Sequence, residues 1–277
     1  MRNVMVLTLG IFCMIVIYSS TVLAGDDLIA IDRHAKINAK GSKLAALGIR
    51  YNTAGDGFDK DSEKKDLGDN STGIRVPIWA RYVIRENLEA FAILPIISLD
   101  DGTNSDTGIG DIWLGAKYAI MPDGYLTLRG TLDIPTGDDK KDIGEPGGFG
   151  IDIAALTEKR MGKVGLFGQF GLRYNGEDSD TKRKPGMGFY AQGRVGYDVT
   201  EVIPAWISLT YFNQGDAEVN GTKLSDSTEN WLELSIGGAY KITRDIWIAV
   251  PVQYMLTGTN TNADLAVGVY VGRYFHK

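Results

Sequence analysis

From Leu232 to Leu256 the chain reads LELSIGGAYKITRDIWIAVPVQYML. Leu232, Leu234 and Ile236, then Ile246, Ile248, Val250 and Val252, occupy every second position. Glu233, Ser235, Lys241 and Gln253 stand between them, and Thr243–Asp245 makes a tight connection. A period of two is that of an extended strand, whose successive side chains point to opposite faces. The same alternation returns down the chain to residue 275, with almost no helical periodicity after residue 43. A chain patterned this way must form sheet, with one oily row and one wet row on every strand.

Twelve strands of about ten residues can be drawn, from 43–53 to 263–275. About ten residues is the length a tilted strand needs to cross a bilayer. The connections alternate in length. Arg85–Asn87, Met121–Gly124, Arg160–Lys163, Thr200–Pro204 and Thr243–Asp245 are short, whereas 54–72, 99–107, 136–148, 175–187, 214–229 and 257–262 are longer and polar. An even strand number with short turns at one end and long loops at the other is the pattern of outer-membrane barrels. Lipid cannot satisfy backbone N–H and C=O groups, so a spanning sheet must close on itself. The expected fold is therefore all-β: a closed antiparallel transmembrane barrel of about twelve strands, with short periplasmic turns and long extracellular loops. A soluble sandwich or lipocalin-like barrel also alternates, but has no reason to alternate its loop lengths. Tyrosine placement separates the two. With the apolar row outward, Tyr51, Tyr174, Tyr211 and Tyr254 fall near the loop ends of strands, and Tyr82, Tyr118, Tyr197 and Tyr240 near the turn ends. Two such belts suit amphipathic rings at two membrane interfaces. The last strand ends in Phe275, which resembles the signal read by the barrel-assembly machinery, although His276 and Lys277 follow it.

At the other terminus, Arg2 precedes the apolar run Val4–Ile17 and the small residues before Ala24. This predicts a cleaved signal peptide over 1–24, an N-terminal periplasmic segment over 25–42 and the barrel over 43–277. The run is short for a transmembrane anchor. Cys13, the sole cysteine, lies inside the leader, so no disulfide framework or cysteine metal site is expected. A net charge of −6 argues against nucleic acid as a partner.

The wet row should line a lumen, and any function should lie there. It carries Arg75, Arg81, Lys117, Arg129, Arg173 and Arg194, opposed by Asp111, Asp133 and Glu233 among others. Charges in an enclosed space need partners or water. They can brace the wall as ion pairs, form a constriction that screens solutes, or both. The signs nearly balance, so no strong ion selectivity is expected. All five tryptophans, including Trp79, Trp113 and Trp231, also fall on this row. They can fill a narrow barrel or offer flat faces to an aromatic or amphipathic solute. Inward glycines and alanines, Gly115, Gly165, Gly171, Gly196, Gly237 and Gly272 among them, should leave room that inward Arg and Trp take away again, so the expectation is a narrow passage for small solutes, closed in part by a loop or by residues 25–42.

Two motifs carry a family resemblance. Gly108–Tyr118 reads GIGDIWLGAKY, and Leu132–Asp138 reads LDIPTGD. Together they resemble the outer-membrane proteins grouped as the MetA-pathway phenol-degradation family, often called transporters, over most of residues 43–275. The resemblance implies a barrel that handles aromatic or hydrophobic compounds, with no established catalytic residues. Asp111 and Lys117 match the first motif. Pro135, Thr136, Gly137 and Asp138 match the second, which reads as structural: proline ends a ladder and glycine permits a turn.

Enzyme chemistry finds little footing. His34 and His276, the two histidines, lie outside the predicted strands, which disfavours a Ser–His lipid hydrolase. Loop acids such as Asp56, Asp59, Asp100, Asp101, Asp138 and Asp139 could supply a rim protease, though loop acids are usually solvated. Asp59-Lys-Asp61-Ser-Glu63 has calcium-loop spacing, but Lys64 stands where an EF-hand needs glycine. The expectation is a non-enzymatic passive channel of the bacterial outer membrane, without cofactors, for small aromatic or hydrophobic solutes. Its other partners would be membrane lipid and lipopolysaccharide. The alternative is a plugged structural or adhesive barrel whose acidic loops contact lipopolysaccharide or a surface partner.

Overall fold

The computed structural model describes residues 35–100, 105–138, 143 and 147–276; for residues 68–70 only the backbone path is described. The predicted signal peptide and the first part of the 25–42 segment lie outside these residues.

Twelve strands form one closed antiparallel barrel. They are β1 (Lys43–Phe58), β2 (Lys64–Arg85), β3 (Leu88–Asp100), β4 in two pieces (Ser105–Ile109 and Ile112–Met121), β5 (Leu126–Ile134) and β6 (Gly150–Met161). β7 (Val164–Asn175), β8 (Gly188–Asp198), β9 (Pro204–Gln214), β10 (Glu229–Lys241), β11 (Ile246–Thr259) and β12 (Leu265–Phe275) follow. Each pairs with the next, and the ring closes where β1 meets β12 through the register Lys43↔Phe275 to Ile49↔Val269. Closure leaves no unpaired edge in lipid.

Sidedness follows the alternation. Ile49 is 56% exposed while its neighbour Arg50 is 1% exposed. Ile151, Ile153, Leu172, Leu209, Ile236 and Val269 likewise stand outside, and Asp152, Arg173, Thr210, Ser235 and Gln253 inside. The eight tyrosines of the two expected belts and Phe275 are all exposed on the outer face. Two of the short turns use positive φ: Asp123 and Gly124 (φ 55° and 79°) follow Pro122, and Gly162 (φ 59°) turns β6 into β7.

Two regions run further than the alternation indicates. β1 and β2 continue as a ribbon to Phe58 and from Lys64, where 54–72 was expected to be loop. The turn at its tip is closed by Asp59, whose carboxylate accepts N–H bonds from Asp61 and Glu63 at 2.9 and 3.0 Å. Lys65 pairs with the same carboxylate, and with these N–H groups holds it down to about 2. That carboxylate therefore serves the turn. A small loop sheet also joins Arg183–Lys184, Glu218–Val219 and Thr222–Lys223, with Asn220 and Gly221 (φ 52° and 72°) at its turn.

Gly165 and Gly196 leave open room beside a cavity at the turn ends, but five other inward glycines do not. Each of the five faces an aromatic ring directly across the ladder: Phe91↔Gly115, Tyr190↔Gly171, Trp206↔Gly237, Trp247↔Gly272 and Tyr270↔Gly48. A Cβ at any of these five glycines would overlap the facing ring. The missing side chain lets the ring lie against the wall, so the bore is set by such pairs. Gly237→Val should therefore drive Trp206 off the wall at an overpacking cost of about 1–3 kcal/mol. Urea unfolding of the purified barrel measures this; an unchanged midpoint would mean the ring has another resting place.

Candidate functional site: the lumen

The lumen is held by a few polar clusters and two aromatic ones. Arg129 Nη2 donates to Asp152 Oδ1 at 2.9 Å, Tyr190 Oη donates to the same oxygen at 3.0 Å, and Arg129 Nη2 also contacts Tyr190 Oη. All three side chains are buried, and they tie β5, β6 and β8 together. Arg173 stands opposite Asp152 on β7 in the ladder. Nearby on the ring, Glu89 of β3 lies 3.9 Å from Arg81 of β2 and 3.8 Å from Lys117 of β4. Gln253 Nε2 donates to both Glu233 oxygens at 2.9 and 3.0 Å, joining β10 to β11. Arg75 is buried opposite Arg50 across β1–β2. Asp133 is buried opposite Trp113 and Gly150.

The two family motifs meet in space. Asp111 Oδ1 accepts the backbone N–H of Thr136 at 2.9 Å and of Gly137 at 2.7 Å. Thr136 Oγ1 in turn donates to Gly110 O at 2.8 Å and accepts Ile112 N–H at 3.1 Å. The Gly-Asp break in β4 and the Pro-Thr-Gly end of β5 thus form one latch, in keeping with the structural reading of the second motif. The Asp111 carboxylate, a candidate for touching solute, here secures a turn.

All five tryptophans belong to the inner wall. Trp79 meets Trp247 at 6.4 Å (tilted) and Tyr270 at 5.8 Å (edge-on), with Trp113, Phe91 and Ile93 in the same cluster. Trp231 stacks on Phe212 at 5.2 Å, within a cluster that includes Leu156, Phe167, Tyr190 and Met255. Arg194 sits over the Phe167 ring at 5.3 Å. Trp79, Trp206 and Trp247 line a cavity of about 410 Å³ at the turn ends of the strands.

Two intrusions narrow the passage. Residues 35–42 cross the periplasmic end inside the barrel. Gly41 N–H donates to Val83 O at 2.9 Å, while at the other end Thr127 Oγ1 donates to Ala35 O at 2.7 Å and Ala35 N–H donates to Glu158 at 3.2 Å. Lys36 pairs with Asp123 at 2.8 Å, and Ala35 is wholly buried against the Trp231 cluster. At the loop end, Ile143 is buried against Ile97 and Leu99. Neither intrusion has a pattern in the sequence. Tyr190, which completes the Arg129–Asp152 cluster, was not among the expected site residues. Its parity placed it inward, but only the pairing with Gly171 shows where the ring goes. Among the described residues, no three or more His, Cys, Asp or Glu side chains are grouped to hold a metal ion.

The same barrel is found in known structures. The COG4313 outer membrane channel from Pseudomonas putida F1 superposes with a TM-score of 0.75 at 18% identity, over 92% of this chain and 100% of that one. The translocator domain of the autotransporter NalP from Neisseria meningitidis gives 0.60 at 13% identity, over 91% and 94%. A TodX deltaS2S3 mutant, a monoaromatic hydrocarbon channel, gives 0.53 at 10% identity, over 93% and 96%. At these identities the likeness is one of fold. No curated protein matches the chain in sequence. The family model described as "Putative MetA-pathway of phenol degradation" matches residues 47–271, so this transmembrane β-barrel of the outer-membrane kind belongs to that family.

Proposed function

We propose that the protein is a passive, non-enzymatic outer-membrane channel for small aromatic or hydrophobic solutes, delivered to the membrane through a cleaved signal peptide and the barrel-assembly machinery. One observation carries the reading: flat aromatic faces line the inner wall, with Trp79 in contact with both Trp247 and Tyr270 beside a cavity of about 410 Å³. Such a wall gives an apolar solute dispersion contact and partial desolvation, while cationic side chains nearby serve polar substituents. The family description and the likeness to a monoaromatic hydrocarbon channel support it. The buried ion pairs brace the wall on this reading, and the residues that meet solute are Trp79, Trp113, Trp231 and the arginines at their edges. A second reading has its own support. Residues 35–42 and Ile143 occupy the lumen, which fits a plugged structural barrel with loops facing lipopolysaccharide.

Uptake by cells with an intact lipopolysaccharide layer decides between them. Trp79→Ala with Trp113→Ala should slow entry of labelled phenol several-fold while a small sugar is little affected. Equal slowing of both solutes would leave the indoles as packing only, and no uptake above a strain lacking the protein would favour the plugged barrel.

A further inference from the structure

Two cations stand on the outer face at the seam of the barrel, where the alternation otherwise places apolar and aromatic residues. Lys43 opens β1 and Arg273 lies near the end of β12; both are exposed and share the outward parity of Leu47 and Val271. These are the two strands whose pairing closes the ring. Lys43 faces Phe275 and Arg273 faces Ala45, so the cations are diagonal neighbours, about 7–8 Å apart. Each rests on a ring of the turn-end belt: Lys43 Nζ lies 5.9 Å from the centre of Tyr82, and Arg273 Cζ lies 4.9 Å from that of Phe275. No carboxylate among the described residues forms an ion pair with either cation; Asp245, in the turn before β11, lies 3.3 Å from His276 instead. Along the ladder from Arg273 come Ala45, Ala80 and Ala92, whose short side chains leave the guanidinium open on that side.

We infer that Lys43 and Arg273 bind the headgroup phosphate of an anionic glycerophospholipid in the turn-side leaflet, and that this lipid ties the first strand to the last. Long cationic side chains at a membrane interface lay their stems along apolar surface and offer their heads to lipid phosphates. Arg273 can hold two phosphate oxygens with its planar fork, while Lys43 adds a point charge from the neighbouring strand. One phosphate held by both bridges the seam at its turn end, where the register begins with Lys43↔Phe275. An anionic headgroup is favoured over a zwitterionic one because it brings no cation of its own against the pair. The inference goes beyond the channel reading and does not rest on it.

The test uses the purified full chain in detergent with equimolar phosphatidylglycerol and phosphatidylcholine of identical acyl chains, the bound lipid counted by native mass spectrometry. The unaltered protein should retain phosphatidylglycerol about tenfold over phosphatidylcholine. Lys43→Gln with Arg273→Gln should bring the two lipids within about twofold of one another. Phosphatidylglycerol should also raise the unfolding temperature of the unaltered protein but not of this variant. Lys159→Gln with Lys163→Gln makes the same change in charge at the exposed β6–β7 turn, on the far side of the ring, and should leave the preference intact. Equal retention of both lipids by the unaltered protein overturns the inference. So does an equal loss of preference in the two double variants, which would mark a general attraction of anionic lipid to the rim, or an equal rise in unfolding temperature with and without the seam cations. Should the seam double variant not fold, Arg273→Gln alone carries the test: a loss of at least about threefold is expected, and an unchanged preference overturns the inference.

Discussion

Asp152→Ala is expected to destabilise the barrel by about 3–5 kcal/mol, the largest effect of any single substitution proposed for the wall. Asp152 is the acceptor for both Arg129 and Tyr190. Arg129 is fully buried, so the substitution removes the carboxylate that faces its guanidinium at 2.9 Å. The Arg129→Leu/Asp152→Leu double variant should recover most of that loss, because the cost lies in the uncompensated charge rather than in the absence of attraction. Urea unfolding followed by tryptophan fluorescence measures both. A double variant as unstable as the single one would show that the pair holds the wall by shape, not by charge.

The second large effect concerns the passage. Starting the barrel at Ser42, behind the signal sequence of another exported protein, removes the segment that spans from the Val83 carbonyl to Thr127 and Glu158. Single-channel conductance in planar bilayers should rise several-fold, with more frequent long openings. Stability should fall by only a few kcal/mol, since each lost hydrogen bond is worth about 0.5–1.5 kcal/mol. If conductance stays at the level of the full chain, the controlling constriction lies at the loop end, around Ile143. Cutting the loop back over that residue would then be the informative change.

These expectations draw on features that differ in how far sequence reveals them. The strands within the bilayer are legible because lipid enforces the alternation: Ile49 outside and Arg50 inside cannot be exchanged without large cost. Above the membrane both faces meet water, so the ribbon of β1 and β2 beyond residue 54 carries no alternation and reads as loop. Its hydrogen bonds continue all the same. The loop hairpin at Asn220-Gly221 did leave a signal, since that dipeptide favours the two positive φ values found there. Flanking strands of two residues were too short to draw notice to it. In the lumen, the inward parity of Trp79, Trp113 and Trp231 is a local property and can be read directly. Which side chains meet is not local. Asp111 finds Thr136 and Gly137, and Tyr190 finds Arg129 and Asp152, through ladder register and barrel tilt. The segment 35–42 is least legible of all, because its bonds are mostly backbone to wall and any short polar stretch could make them.

The cross-strand match of glycine with an aromatic ring carries a consequence for how relatives of this barrel can diverge. Calibre would change by exchanging both members of a match at once, as in Gly171 with Tyr190 or Gly272 with Trp247. A lone glycine loss jams the bore, while a lone loss of the ring leaves bare backbone facing water. Homologous channels of different width should therefore show these positions drifting in step, and the size of solute each one admits could be estimated from the partners alone.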